Sequence, residues 1–564
     1  MISTSSASLP PDRIARMKSP LIQPVKPETP KRSVPGQTTW SAGRRAVLIS
    51  FLLAVLIMLI ATLRIGTLVV RYQDLQMDYD EAVHATRGLD MASAVLHLSP
   101  SELWFQTVKP HWYPPVHGYF LGGWLLLFGS GTAEVRLYAA FCYFLFGLLL
   151  WVSAKQAFPQ AHPLSFLIPT LFLVSDQQHA VHAALSMLEL PAILLAFASL
   201  YFFNTALSRS TFLNHFLAGL FALLCFLTKY NYGLVVLFTE AICYLVLWIG
   251  RRAQGEWVQR GKTILIAWLP VLALLIIWLF VLDEWQWLVA YSTAQPGQYA
   301  FWSYENLVFY PRQLLRETSG WVPLLLTLAG IILWLKRRQF SPTWLSYLVF
   351  FAVAFCMLTY KTQDSSRFGM ILLPPLWIMS TGGLVALLDL IPVLRARYLL
   401  LGVFLVLLAF SSFRNLTTIA TRLGIAYENL DSSVDLAYRF IAETVQVDRS
   451  PDLNIVMFGN TDTWNGPALH FYLQSRCQIS RADCVIQVRD EREIRKGLPQ
   501  QDFPPEQREA RMDQALDQAD YLVTFSKSPD IPQGWSPLSS QEFEFSRRNA
   551  RSVRNWVTVL QRER

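Results

Sequence analysis

Residues 44–84 read RRAVLISFLLAVLIMLIATLRIGTLVVRYQDLQMDYDEAVH, and the order of their characters decides the fold. Arg44-Arg45 precede an apolar run from Ala46 to Val70. At about 1.5 Å per helical residue this run is long enough to cross roughly 30 Å of hydrocarbon. The basic pair before it places the N-terminus in the cytoplasm by the positive-inside rule. The chain then emerges on the opposite face with Asp78, Asp80 and Glu81, three carboxylates in four residues. They sit where a substrate arriving along the membrane surface would meet them. A plain solvated loop start is the alternative reading of this spacing.

The same character recurs along the chain. Of the 564 residues, 53% are apolar and only 16% are charged, against about 25% charged in soluble domains. Apolar runs near 46–70, 135–155, 162–176, 186–205, 212–228, 232–250, 263–282, 320–336, 343–360, 368–388 and 398–414 predict about eleven spans. With that count Arg251-Arg252, Arg260, Lys262, Lys336-Arg337-Arg338, Arg395 and Arg397 all fall inside and the C-terminus outside. Residues 115–129 are apolar but too short to span, so they are expected on the outer membrane surface. The net charge of +8 comes from clusters beside apolar runs. It points to lipid headgroups and the bilayer, with no nucleic-acid partner.

Three regions follow. Residues 1–45 hold seven prolines and eight Lys/Arg against two acidic residues, and form a disordered cytoplasmic tail by composition. Residues 46–415 form the membrane domain, with outer loops at 71–134 and 283–319. Residues 416–564 turn soluble, and strand patterns at 454–458 and 521–525 alternate with helical ones near 433–446, 466–475 and 506–518. The fold class is therefore a polytopic α-helical membrane protein with a C-terminal α/β domain outside the membrane. Cys142, Cys225, Cys243 and Cys356 read as small core residues. Cys477 and Cys484, separated by six residues on the oxidising side, are expected to form a disulfide.

Other polar groups gather on the outer face. The first outer loop carries His111, Tyr113, Pro114-Pro115 and His117. Glu189 lies in an otherwise apolar stretch, and an ionisable group at membrane depth is a functional candidate by default. Lys229 with Tyr230, and Lys361 with Arg367, break the positive-inside trend, so something must compensate them. A phosphate is one natural partner and snorkelling to headgroups is the other. Carboxylates and cations on one face suit a reaction between a hydroxyl and a phosphate-linked donor.

At this point the chain resembles the GT-C glycosyltransferases, in the branch of the protein O-mannosyltransferases and the lipid A aminoarabinose transferase. The resemblance rests on Asp80-Glu81 after the first span, Tyr113-Pro114-Pro115 with its apolar helix, and Glu134-Val135-Arg136-Leu137. It continues through Gly219 to Lys229-Tyr230, and through Arg367-Phe368 with Leu373-Pro374-Pro375. It covers about 75–415 and departs at Tyr113 and at Met187-Leu188-Glu189. The resemblance implies an inverting transferase of the plasma membrane, taking a sugar from a polyprenyl-phosphate carrier to a lipid or protein hydroxyl. It implies Asp80 as general base, with Asp78 and Glu81 beside it, and Lys229 and Arg367, with Lys361, near the lipid phosphate. His111, Tyr113, His117, Glu189 and Tyr230 are the expected substrate contacts. No cofactor is implied, although a divalent cation on Asp78, Asp80 and Glu81 stays open. The rival reading is a transporter or flippase of lipid-linked sugars.

Overall fold

The computed structural model describes residues 43–563, apart from 74–76, 109–112, 252–255, 287, 290–301, 318–319, 338–341, 361–365, 428–431, 447–451, 459–465, 481–484, 491–493, 495–503, 527–528, 530 and 546–552. The apolar runs fold as helices because only a helix satisfies its own amides in hydrocarbon. Eight helices among the described residues are long and apolar enough to span a membrane. They are Arg44–Arg71, Thr132–Ala157, Glu189–Ser208, Tyr230–Ile249, Arg260–Val281, Pro342–Tyr360, Arg367–Leu388 and Leu394–Ile419. Shorter apolar helices at Pro163–Ser175, Phe212–Phe226 and Trp321–Lys336 occupy the three remaining expected positions.

Arg367–Leu388 lies at the centre of the bundle, almost wholly buried, while the first and last spans turn most of their surface outward. Its close seating depends on a missing side chain. A Cβ at Gly383 would collide with the Leu326 carbonyl of the neighbouring helix Trp321–Arg337. Of the cysteines expected in the core, Cys142, Cys225 and Cys243 are buried, but Cys356 is exposed on the outside of its helix.

The segment read as an outer loop, 71–134, is helical. It contains Tyr79–Leu96, Pro100–Val108 and Val116–Phe128. Asp78 caps the first of these, its carboxylate accepting from the Asp80 amide at 3.1 Å, and Asp80 and Glu81 complement the helix dipole in the opening turn. Val116–Phe128 follows the Pro114-Pro115 pair. At 13 residues it is about 20 Å long, too short to cross. It packs flat on the Asp80 helix, where a Cβ on Gly122 would stand 2.8 Å from the Gly88 carbonyl. In the second outer loop the described residues include the helix Tyr304–Glu317.

The last membrane helix runs from Leu394 to Tyr427, past the expected domain start at 416. Beyond it lies a five-stranded sheet: β1 (Asp452–Met457), β2 (Val485–Asp490), β3 (Tyr521–Thr524), β4 (Trp535–Phe545) and β5 (Val553–Arg562), in the order β2-β1-β3-β5-β4. The first three are parallel, and β5 joins β3 and β4 antiparallel. Alternation along β1 sorts its side chains. Leu453, Ile455 and Met457 face one core and Val456 the other. The first of these cores does not end at the domain edge. It continues through Val434, Ala437 and Leu469 into Met77, Ala82, Ala85 and Leu89 on and beside the Asp80 helix. Thr86 of that helix donates to the Pro467 carbonyl at 3.2 Å. Cys484 and the Cys477 side chain, and with them the expected disulfide, lie outside the described residues.

Candidate active site

Five chain segments meet at one end of the bundle. The Asp80 helix supplies Asp80 and, one turn on, His84. The turn before Val116–Phe128 supplies Tyr113 and Pro114. The start of Glu189–Ser208 brings Glu189, preceded by Met187 and Leu188. The break between Phe212–Phe226 and the next span brings Lys229, Tyr230 and Asn231. The 3-10 turn Ser366–Leu372 brings Arg367 and Phe368. These twelve residues line a single small cavity of about 40 Å³ that opens to solvent.

Its polar groups form two linked ion pairs. Lys229 Nζ stands 2.7 Å from Glu189 Oε1, with both side chains buried. Arg367 Nη2 stands 2.7 Å from Asp80 Oδ2, and both of these remain 25% exposed. Arg367 Nε lies 3.7 Å from the same Glu189 oxygen, so one arginine bridges the two carboxylates. The other oxygen of Asp80 accepts from the Tyr113 hydroxyl at 3.3 Å. Two cations and two carboxylates balance.

Other residues hold these groups in place. The Tyr232 hydroxyl donates to the Phe368 carbonyl at 3.2 Å and fixes the turn that carries Arg367. Lys229 Nζ lies 5.1 Å from the Tyr232 ring centre and 4.9 Å from that of Phe368, a cation–π cradle that offsets its desolvation. Arg87 donates to the Tyr113 carbonyl and, at 3.2 Å, to that of Gln106. It thereby holds the turn that delivers Tyr113 to Asp80. The Tyr230 hydroxyl accepts from Trp278 Nε1 at 3.3 Å. His84 is buried edge-on against Tyr113, their ring centres 4.5 Å apart. Burial pushes its imidazole down to about 3, so it faces the cavity as a neutral donor and acceptor.

Some expected contributors are placed elsewhere. Glu81 faces away from the cavity into the protein, with Arg136 donating to both its oxygens at 2.8 and 3.0 Å and the Ser186 amide to one at 3.1 Å. Both side chains are fully buried, and Glu81 does not line the cavity. Asp78 is an exposed helix cap outside the cavity lining. His117 is buried behind His84, 5.5 Å between ring centres, and does not line the cavity. Among the described residues no three His, Cys, Asp or Glu are placed to share a metal ion. His111 and Lys361 lie outside the described residues. Unexpected participants are His84, Tyr232 and Phe368. His84 was legible in principle, because residues four apart share a helix face, but only once 79–96 is read as a helix.

The chain shares its polytopic helical fold with solved structures of other proteins. Residues 112–281 match the family model described as dolichyl-phosphate-mannose-protein mannosyltransferase. That stretch contains Tyr113, Glu189 and Lys229 but neither Asp80 nor Arg367. Among solved structures, the chain is similar to ArnT from Cupriavidus metallidurans bound to undecaprenyl phosphate, with a TM-score of 0.50 and 14% identity over 92% of this chain and 98% of that one. It is also similar to the oligosaccharyltransferase from Archaeoglobus fulgidus in its apo form, again with a TM-score of 0.50 and 14% identity, over 84% of this chain and 69% of that one. No curated protein sequence matches the chain.

Proposed function

We propose that this chain is a membrane glycosyltransferase that moves a sugar from a polyprenyl-phosphate carrier to an acceptor hydroxyl, with inversion. The observation that carries the reading is the cavity itself, where Asp80 shares a 2.7 Å contact with Arg367 and Lys229 stands behind Glu189. A base and a pair of cations are what the reaction needs. The acceptor oxygen attacks the anomeric carbon and its proton passes to the Asp80 carboxylate. The bond from that carbon to the phosphate oxygen breaks, and its electron pair stays on the phosphate. Arg367 and Lys229 stabilise the charge gathering there. Tyr113 and His84 orient the acceptor side. The lipid carrier of the solved relative, undecaprenyl phosphate, supports a polyprenyl donor. The acceptor is a lipid or protein hydroxyl.

The reading places the N-terminus in the cytoplasm and the sheet domain outside, in a plasma membrane. It follows from the basic clusters at Arg44-Arg45, Lys336-Arg337-Arg338, Arg395 and Arg397. Incubation of the purified protein with a polyprenyl-phosphate sugar and a mixed acceptor extract tests the proposal. Release of polyprenyl phosphate supports it. Movement of intact donor between leaflets without release would replace it with the flippase.

A further inference from the structure

Of the three cations expected to meet the donor phosphate, Lys361 lies outside the described residues and the other two are paired, and these two pairs differ in accessibility. Lys229–Glu189 is buried, its side chains 9% and 3% exposed. Breaking it would leave a buried carboxylate uncompensated, which is strongly unfavourable. Arg367–Asp80 is exposed to the cavity at 25% on each side, and pairs of that kind are weak and exchangeable. Arg367 also has donors to spare. Its Nε makes no hydrogen bond among the described residues, and its Nη1 reaches only Met187 Sδ at 4.0 Å. The Phe368 ring, 5.1 Å away, and Glu189 give the guanidinium a surface on which to turn.

We infer that Arg367 is a donor-operated latch on the base: an incoming phosphate takes the guanidinium from Asp80, and only then is Asp80 released to accept a proton. This rests on the proposed function and deepens it. A phosphate offers Arg367 a bidentate partner of higher charge than a single carboxylate oxygen. Once released, Asp80 keeps its bond to the Tyr113 hydroxyl, so the carboxylate stays aimed while its charge becomes available. Donor therefore binds before the acceptor is activated. With no donor present the base is held by Arg367, and the site does not waste proton transfers on water.

The latch makes a prediction that ordinary general-base chemistry does not. Removing the carboxylate of a catalytic base should strengthen donor-side binding. The affinity of the full-length protein in detergent for a short-chain polyprenyl phosphate is measured for wild type, Asp80→Asn, Arg367→Gln and the double variant. Asp80→Asn is expected to tighten binding by about two- to fivefold, the size of a partly exposed ion pair. In the Arg367→Gln background the same substitution should change nothing. Arg367→Met, which keeps an apolar stem, replaces Arg367→Gln where the latter does not fold. Tightening of equal size in both backgrounds would mean simple relief of charge repulsion and would overturn the latch. So would unchanged or weaker binding by Asp80→Asn while Arg367→Gln still weakens it, an outcome that leaves the donor reading intact. Absence of phosphate binding by wild type and all variants would instead remove the donor reading and the latch together.

Discussion

Successive residues on a helix point about 100° apart, so Asp80 and Glu81 meet different surroundings although they are neighbours in the chain. Asp80 opens into the cavity and Glu81 is sealed against Arg136. Their substitutions should therefore fail in different ways. Glu81→Ala takes the carboxylate from the fully buried Arg136 guanidinium, and loss of about 3–5 kcal/mol is expected, visible as a large drop in the thermal unfolding midpoint in detergent. Asp80→Asn should leave that midpoint nearly unchanged; an equal drop in both would contradict the division of roles. His84 adds a pH dependence. Its imidazole is held down to about 3 by burial, from an ordinary 6.5. As the pH falls through about 6.5 the unfolded chain takes up a proton there, while the folded site refuses it until about 3. The stability owed to the neutral ring is thus complete above about 6.5 and is lost below it, by about 1.4 kcal/mol per pH unit. His84→Asn should lose less stability than wild type between pH 6.5 and 5.5, and parallel unfolding curves would refute this.

The Asp80 helix is held from two sides. On one side Val116–Phe128 lies so close that Gly122 meets the Gly88 carbonyl. A branched side chain cannot be absorbed by backbone, so Gly122→Val should displace the helix, with an overpacking cost of about 1–3 kcal/mol. Turnover should fall in step with loss of the Asp80–Tyr113–Arg367 geometry. Gly123→Val, where nothing stands within 4 Å of a Cβ, is the control that should retain activity. At this scale the sequence was legible where one signal dominated. Runs of apolar residues marked the spanning helices, and the fifteen-residue run at 115–129 folds as the short helix Val116–Phe128. The helix at 79–96 was hidden because its carboxylates drew attention as a loop. Its apolar residues are mostly alanine, glycine and methionine, a weak periodic signal whose burial comes from partners far along the chain. The same holds for β2, β4 and β5. Their polar faces blur the strand pattern, and β5 pairs with β3 across a long sequence gap.

Across the whole molecule, the sheet domain and the membrane domain share a core through the Asp80 helix, with Thr86 bonded to the Pro467 carbonyl. No sequence pattern reveals such a seam, because each half of it reads as ordinary core. Likewise the chemistry of Lys229, Glu189 and Arg367 was visible as misplaced charge, but their pairing reaches from Glu189 to Arg367 across the chain and emerges only on folding. The seam makes the sheet domain part of the positioning of Asp80. Replacing Ala85, buried within it, by Arg should lower turnover without touching the cavity; unchanged turnover would separate the two domains functionally. The most direct test of the central claim is single-turnover release of polyprenyl phosphate from a polyprenyl-phosphate sugar by wild type and Asp80→Asn, each checked for intact folding. If Asp80 takes the acceptor proton, Asp80→Asn should slow release by about two to four orders of magnitude; release at the wild-type rate by Asp80→Asn would contradict the account.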